Sequence, residues 1–359
     1  MYIYIIYFLL ITFLAIEYEF RPFQTRLPLT IIIIGLACLA GFRGPEVGRD
    51  YENYLYNFEI VNNIDDVIFL TILEPGFIAI VYLIRLISAQ NYQVLIMLFF
   101  ALSAVALKIS VFKRLTINPF LAILIYFSHY FLLHEMTQIR IGLASAFFLC
   151  GIPYFLKRNK MGFVGFVLFG TLFHYSAILY LAILLFDTRS FNIKLYSGLL
   201  IASVILAFMR LPLANYLTSY DGSKISVKID IYSELGRKGY YDEINVFNPV
   251  TIVNLLCCIY FMFFVPRLVL LQSKSLIIFL KCNLLSIFIL ALLSGVASVA
   301  FRFSEIYNVA SIFLFTYLAV KLPFGKFNIF LIIFLAACIF YLNAFYGQLV
   351  GPYYAVKFK

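Results

Sequence analysis

Apolar windows close to the ~20 residues needed to cross a bilayer follow one another along almost the whole chain. In lipid, each backbone N–H and C=O must find its partner inside the protein, so windows of this kind can only be helices. They run over 1–16, 28–42, 74–89, 91–112, 118–134, 137–156, 161–187, 194–213, 249–267, 275–297, 299–320 and 327–346. The pattern predicts an all-α, polytopic integral membrane protein of about 12–13 transmembrane helices. The 161–187 run contains Gly162, Gly165 and Gly170. It reads either as one tilted helix or as two short ones meeting near Phe173–His174. No internal repeat and no long linker divides the chain, so a single transmembrane domain over 1–359 is expected.

Charge supports the same class. Only 12% of the 359 residues are charged, against about 25% in soluble domains, while 64% are hydrophobic and the mean hydropathy is +1.00. A soluble globular protein is excluded, and the composition argues against nucleic-acid binding. The net charge of +10 has a membrane explanation, because cytoplasmic loops collect Lys and Arg. Loops bearing Arg21 and Arg26, Lys157, Arg158 and Lys160, Arg267 and Lys274, and Lys321 and Lys326 are therefore placed inside.

Two polar stretches are placed outside, near 42–73 and 214–248. The second carries four basic residues (Lys224, Lys228, Arg237, Lys238) and five acidic ones (Asp221, Asp230, Glu234, Asp242, Glu243), a near-neutral balance. The N-terminal run lacks a basic n-region and an A-x-A-like exit, so it reads as a first span with its start outside. Three crossings then separate the first polar loop from Arg140, where an even number is required. A re-entrant 74–89 run resolves this, as does a different count there. Cys38, Cys150, Cys257, Cys258, Cys282 and Cys338 all lie in apolar runs without a CxxC, so neither a disulfide framework nor a zinc site is expected.

Ionisable groups inside such windows need a partner, water or a function. Arg140 starts one window and Arg302 another, with Glu305 three residues on and able to share its helix face. Tyr307 follows. Pairing or snorkelling is the structural alternative for both arginines. The loop FRGPEVGRDYENY is the densest polar cluster beside a span. Arg43 and Arg49 offer planar forks for a phosphate, and Gly44, Pro45 and Gly48 form a tight turn that lets backbone N–H groups approach an anion. Asp50 can act as a base or hold an arginine, and Tyr51, Tyr54 and Tyr56 offer rings for sugar. A solvated interfacial loop is the alternative.

Glu74 opens a span as a cap or as a carboxylate facing a cavity. His174 stands alone among apolar residues, with Ser176 two residues on. No serine-nucleophile elbow appears. His129 and His134 lie five apart, off the spacing for a metal, with Glu135 as the carboxylate beside them; no metal site is expected. No P-loop and no dinucleotide fingerprint is present, so a soluble activated donor is disfavoured. A lipid-linked pyrophosphate held by arginines fits better, since its leaving charge can be stabilised without a metal.

The ordered series FRGPEVGRDYENYLYNFE, EPGF, QIRIGLASAFFL, LFHYSAIL, VAFRFSEIYNVASIF and GPYY resembles the EpsG/Wzy-type polysaccharide polymerases, of O-antigen and exopolysaccharide synthesis, along nearly the whole chain. The resemblance implies a multi-pass glycosyltransferase of the bacterial cytoplasmic (inner) membrane, with a GT-C-like helical bundle, no metal and no cofactor. It implies polymerisation of undecaprenyl-pyrophosphate-linked oligosaccharide units, donor and acceptor alike, at the outer face, for O-antigen, capsule or exopolysaccharide. Membrane lipid and a chain-length regulator protein are the implied partners, and nucleic acid is not one. Position by position, Arg43 and Asp50 match the family's Arg…Gly-x-Asp-Tyr loop, with Arg49 at its variable position. Arg140 matches the next arginine, His174 and Ser176 the Phe-His-x-Ser motif, and Arg302 the late arginine.

The expected catalytic residues are thus His174, Asp50 and Arg302. The expected substrate-binding residues are Arg43, Arg49, Tyr51, Tyr54, Glu74, Arg140, Ser176, Glu305 and Tyr307. The chain has no Trp, so stacking on sugar falls to Tyr and Phe. The rival readings are a flippase or other transporter of lipid-linked sugars, and a ligase-type glycan transferase.

Overall fold

The computed structural model describes residues 1–61, 73–209, 245–295 and 297–356. The remainder of the first polar loop, 62–72, lies outside the described residues. So do 210–213, at the end of the 194–213 window, and 214–244 with all nine charged residues of the second loop. The described residues are helical, with no strand among them beyond two isolated bridges, Arg43 with Ala355 and Gly48 with Val350.

The helices are α1 (Tyr2–Phe20), α2 (Arg26–Gly41), α3 (Tyr51–Ile60), α4 (Pro75–Ile87), α5 (Tyr92–Leu115), α6 (Pro119–Tyr126), α7 (Ile139–Leu156), α8 (Lys160–Thr171), α9 (Ile193–Met209), α10 (Pro249–Phe263), α11 (Arg267–Gln272), α12 (Lys274–Leu292), α13 (Ala297–Asn308), α14 (Ser311–Lys321) and α15 (Asn328–Tyr341). Their starts follow local chemistry. Asn118 and Asn248 each accept a hydrogen bond from the backbone N–H three residues on, and each precedes a proline at the first helical position. Asn159 and Ser273 cap α8 and α12 in the same way, without the proline.

Among the described residues, five segments are long and apolar enough to cross a bilayer: Tyr2–Phe20, Tyr92–Leu115, Ile139–Leu156, Lys274–Leu292 and Gly325–Tyr346. A bent pair, Val299–Asn308 with Ser311–Lys321, makes a sixth, and six further apolar helices hold 10–17 residues. Full-length spans are thus fewer than the apolar windows, because several windows fold into helices shorter than a crossing. The 161–187 run is one such case. It is divided, with α8 ending at Thr171 and a 3₁₀ run, Tyr175–Leu185, beginning just past His174. Helix α4 is another: its 13 residues extend about 20 Å, against the ~30 Å of a hydrocarbon core. Apolar side chains such as Ile6, Leu9 and Phe13 on α1 stay exposed, as a lipid-facing surface requires.

The chain divides into two compact units, Met1–Leu181 with Phe315–Lys359, and Ala182–Leu314. In the first, α5 packs between α2 and α7, and α8 folds back on α7. Its core gathers Phe58, Phe77, Met97, Phe100, Ile139, Leu143 and Phe173. In the second, α12 packs against α9, α10 and α13. Phe279 stacks on Phe313 at 4.1 Å, and Ser286 donates to the Ser304 carbonyl at 2.8 Å. Buried Lys281 donates to the Asp187 carbonyl at 2.6 Å, with its ammonium 5.5 Å from the centre of the Tyr196 ring.

Two stretches of π-helix, Phe127–Glu135 and Leu342–Tyr346, extend α6 and α15 in the first unit. They are tied together by Asn343, whose side-chain amide donates to the Ser128 carbonyl and lies 2.9 Å from His129 Nδ1. Such wide turns concentrate at functional sites.

Candidate active site

Three sequence-distant motifs meet at Glu74. Its carboxylate sits at the start of α4, where Pro75 occupies the first helical position. Gly76 donates to the Leu172 carbonyl at 2.8 Å, which lays the Glu-Pro-Gly turn directly on the break between α8 and the 3₁₀ run. A Cβ at Gly76 would lie 2.7 Å from that carbonyl oxygen. Gly76→Ala should therefore push the turn off the break and lower stability by about 1–3 kcal/mol. Gly165→Ala, mid-helix with its Cβ in open space, should instead raise it by about 0.5–1 kcal/mol; thermal unfolding of the purified variants compares the two.

The break places His174, and its Nδ1 lies 3.2 Å from Glu74 Oε1. From α7, the Arg140 guanidinium reaches the other carboxylate oxygen, Oε2, at 2.5 Å. Glu74 is buried, whereas the Arg140 and His174 side chains are 23% and 26% exposed. One buried carboxylate thus holds a cation and an imidazole at a partly open edge. The rings of Phe77 and Tyr54 flank the guanidinium at 5.4 and 5.8 Å, within cation–π range. Arg140 Nε is buried and has no partner. Tyr175 is half exposed and donates its hydroxyl to the Leu73 carbonyl at 3.3 Å. Ser176 is partly buried on the same run.

The FRGPEVGRDY loop is built differently from the expected open clamp. Arg43 is 1% exposed and turns inward. Its guanidinium donates to the Ala40 carbonyl and to Met97 Sδ at 3.5 Å, and sits 5.6 Å from the centre of the Tyr51 ring. Burial pushes it down to about 10, opposed by the neighbouring tyrosines, with Tyr51 the foremost, so it remains a cation at neutral pH. Arg49 is exposed, yet it donates to the Gly347 and Gln348 carbonyls, the latter at 3.2 Å. Asp50 precedes α3, partly exposed. Tyr51 and Tyr54 are buried beneath arginines rather than presented to a sugar, whereas Tyr56 is exposed.

What seats this loop is the distant GPYY segment. Gly44 donates to the Tyr354 carbonyl, the Tyr354 hydroxyl accepts from the Glu46 backbone N–H, Gly351 donates to Val47, and Val356 donates to Phe42. The Tyr4 and Tyr353 rings pack edge to face beside it at 6.2 Å.

Arg302, Glu305 and Tyr307 all lie on α13, in the second unit. Arg302 is exposed, Glu305 is partly buried with its Oε2 unpartnered, and Tyr307 is buried.

Lys108 went unread in the sequence, and with it the pairing of Glu135. Lys108 on α5 is 0% exposed and pairs with Glu135, 1% exposed, at 2.6 Å. His134 Nδ1 lies 3.4 Å from the same ammonium and 3.5 Å from Ser145 Oγ on α7. The available signal was a lone lysine inside an apolar window, four residues short of its end, which needs a partner. Among the described residues, no group of three or more metal-ligating side chains occurs.

A family model described as the EpsG family matches residues 26–355. No curated protein and no solved structure matches the chain.

Proposed function

The chain belongs to the EpsG family, and from that membership we propose that it polymerises undecaprenyl-pyrophosphate-linked oligosaccharide units. The growing glycan leaves its lipid pyrophosphate and joins a hydroxyl of a new lipid-linked unit at the outer face of the bacterial cytoplasmic membrane. The observation that carries the reading is the Glu74 carboxylate shared by Arg140 and His174.

A carboxylate that accepts from His174 Nδ1–H fixes the ring and leaves Nε2 as the basic nitrogen. Nε2 takes the proton of the acceptor hydroxyl as its oxygen attacks the donor's anomeric carbon. The bond from that carbon to the pyrophosphate oxygen breaks, and its electron pair leaves with the phosphate. Arg140, whose side chain is 23% exposed, keeps guanidinium N–H groups beyond the one used by Glu74 for an anion. Asp50 is the alternative base. Arg302, on α13 with Glu305 and Tyr307, is proposed as a phosphate-binding residue from its match to the family's late arginine alone. Arg43 supports from beneath, as a buried cation holding the loop.

Arg302→Ala should abolish long polysaccharide chains while the protein still inserts, and Arg302→Lys should also impair, because a fork becomes a point charge. Gel separation of the products by chain length checks both; normal chains in Arg302→Ala would remove that residue from the site. The same gel separates the activities. Loss of a polymerase leaves single repeat units at the cell surface, loss of a flippase leaves none, and loss of a ligase leaves long chains on the carrier lipid.

A further inference from the structure

The Lys108–Glu135 ion pair lies wholly inside the first unit, in a chain whose apolar helices are built for lipid. Burying two charges is expensive, and an apolar pair of similar volume serves stability as well or better. Stability therefore does not explain the pair, and its location suggests what does. Glu135 is the last residue of the π-helix, and five residues later Arg140 stands in the first turn of α7. The linking turn is short: Met136 N–H donates to the Phe131 carbonyl and Gln138 N–H to Leu133. Gly142, also in that first turn, lies so close that a Cβ there would be 3.2 Å from His134 Cβ and 3.3 Å from Glu135 Oε1. Ser145, one turn on, reaches His134. The carboxylate is thus gripped from α5 by Lys108 while α7 rests against it.

We infer that the Lys108–Glu135 pair is a positioning device: it sets the register of the first turn of α7, and with it the reach of Arg140 to Glu74. This rests on the reading of Glu74, Arg140 and His174 as the reaction site. Lys108 and Glu135 act through Arg140 and do not touch substrate. A displacement of about 1 Å at a reacting centre can lower turnover by about 10²-fold without unfolding the protein.

Two variants test it in the full-length protein reconstituted in liposomes. The probe is the lipid-linked single repeat unit purified from a strain lacking this protein. K108M/E135L removes both charges and should remain folded. Gly142→Ala leaves both charges in place and shifts the α7 contact with His134 and Glu135 by a few tenths of an ångström. K108M/E135L should lower kcat ten- to a hundredfold and Gly142→Ala, with its smaller shift, severalfold, each with KM for the repeat unit within about twofold. A merely structural pair would leave kcat of the stable double variant intact. Wild-type kcat in either folded variant overturns the inference, and where the double variant does not accumulate, Gly142→Ala decides alone. His174→Ala is run beside them. If it is inactive while both variants turn over normally, the positioning role falls and the site stands; if it polymerises normally, the site falls and the inference with it.

Discussion

Glu74→Ala is expected to eliminate polymer beyond single repeat units. The substitution withdraws the partner of two groups at once. The His174 ring loses the acceptor that fixes its tautomer, and Arg140 loses its anchor at 2.5 Å. Loss of a positioned general base is worth about 10²–10⁴ in rate. Stability should fall as well, because the removed group is a buried carboxylate. Breaking a fully buried pair costs about 3–5 kcal/mol; the partly exposed Arg140 will be re-solvated, so the loss should be smaller. Glu74→Gln retains the shape and one acceptor oxygen and should fall between the two. Chain-length gels report the activity and thermal unfolding in detergent the stability. Long chains in Glu74→Ala would rule out the carboxylate as the organiser of the site.

Gly48→Ala should be almost as damaging, through shape alone. A Cβ at Gly48 would lie 2.2 Å from the Met136 backbone carbonyl oxygen and 3.3 Å from Arg43 Nε. Neither neighbour is the free end of a flexible side chain, so the loop itself must move. The expected cost is about 3 kcal/mol, with loss of the Gly48–Val350 bridge and of polymer. A Gly48→Ala protein with native unfolding temperature and native chain lengths would contradict the seating of the loop.

The helical membrane class was legible in the spacing of apolar windows, because lipid leaves the backbone few alternatives. Lengths were less legible: an apolar run looks the same whether one helix or two shorter ones use it, as at 161–187. Glu74 and Arg140 could each be singled out as a charge where charge is costly, and His174 as a lone imidazole, but not their convergence, since the contacts join residues 66 and 100 positions apart. Arg43 was legible as important and not as buried. Nothing local to FRGP indicates that Met97 and Tyr51 will enclose it. Lys108 escaped because its acid lies 27 residues away on another helix. GPYY stood out as a motif, while its partner, the loop at 43–49, carries no complementary pattern that periodicity could reveal.

That partnership has a consequence for biogenesis. Glu46 is held by Tyr354, 308 positions downstream. At translation rates of 5–20 residues per second, about 15–60 s separate the synthesis of the two. Throughout that interval the signature loop is already made but lacks its fastening. A ribosome stalled shortly before Tyr354 leaves a nascent protein with most of its apolar segments delivered and the loop at 43–49 still unfastened. Quality control that probes that stretch would be reading, in effect, whether translation has reached the far end.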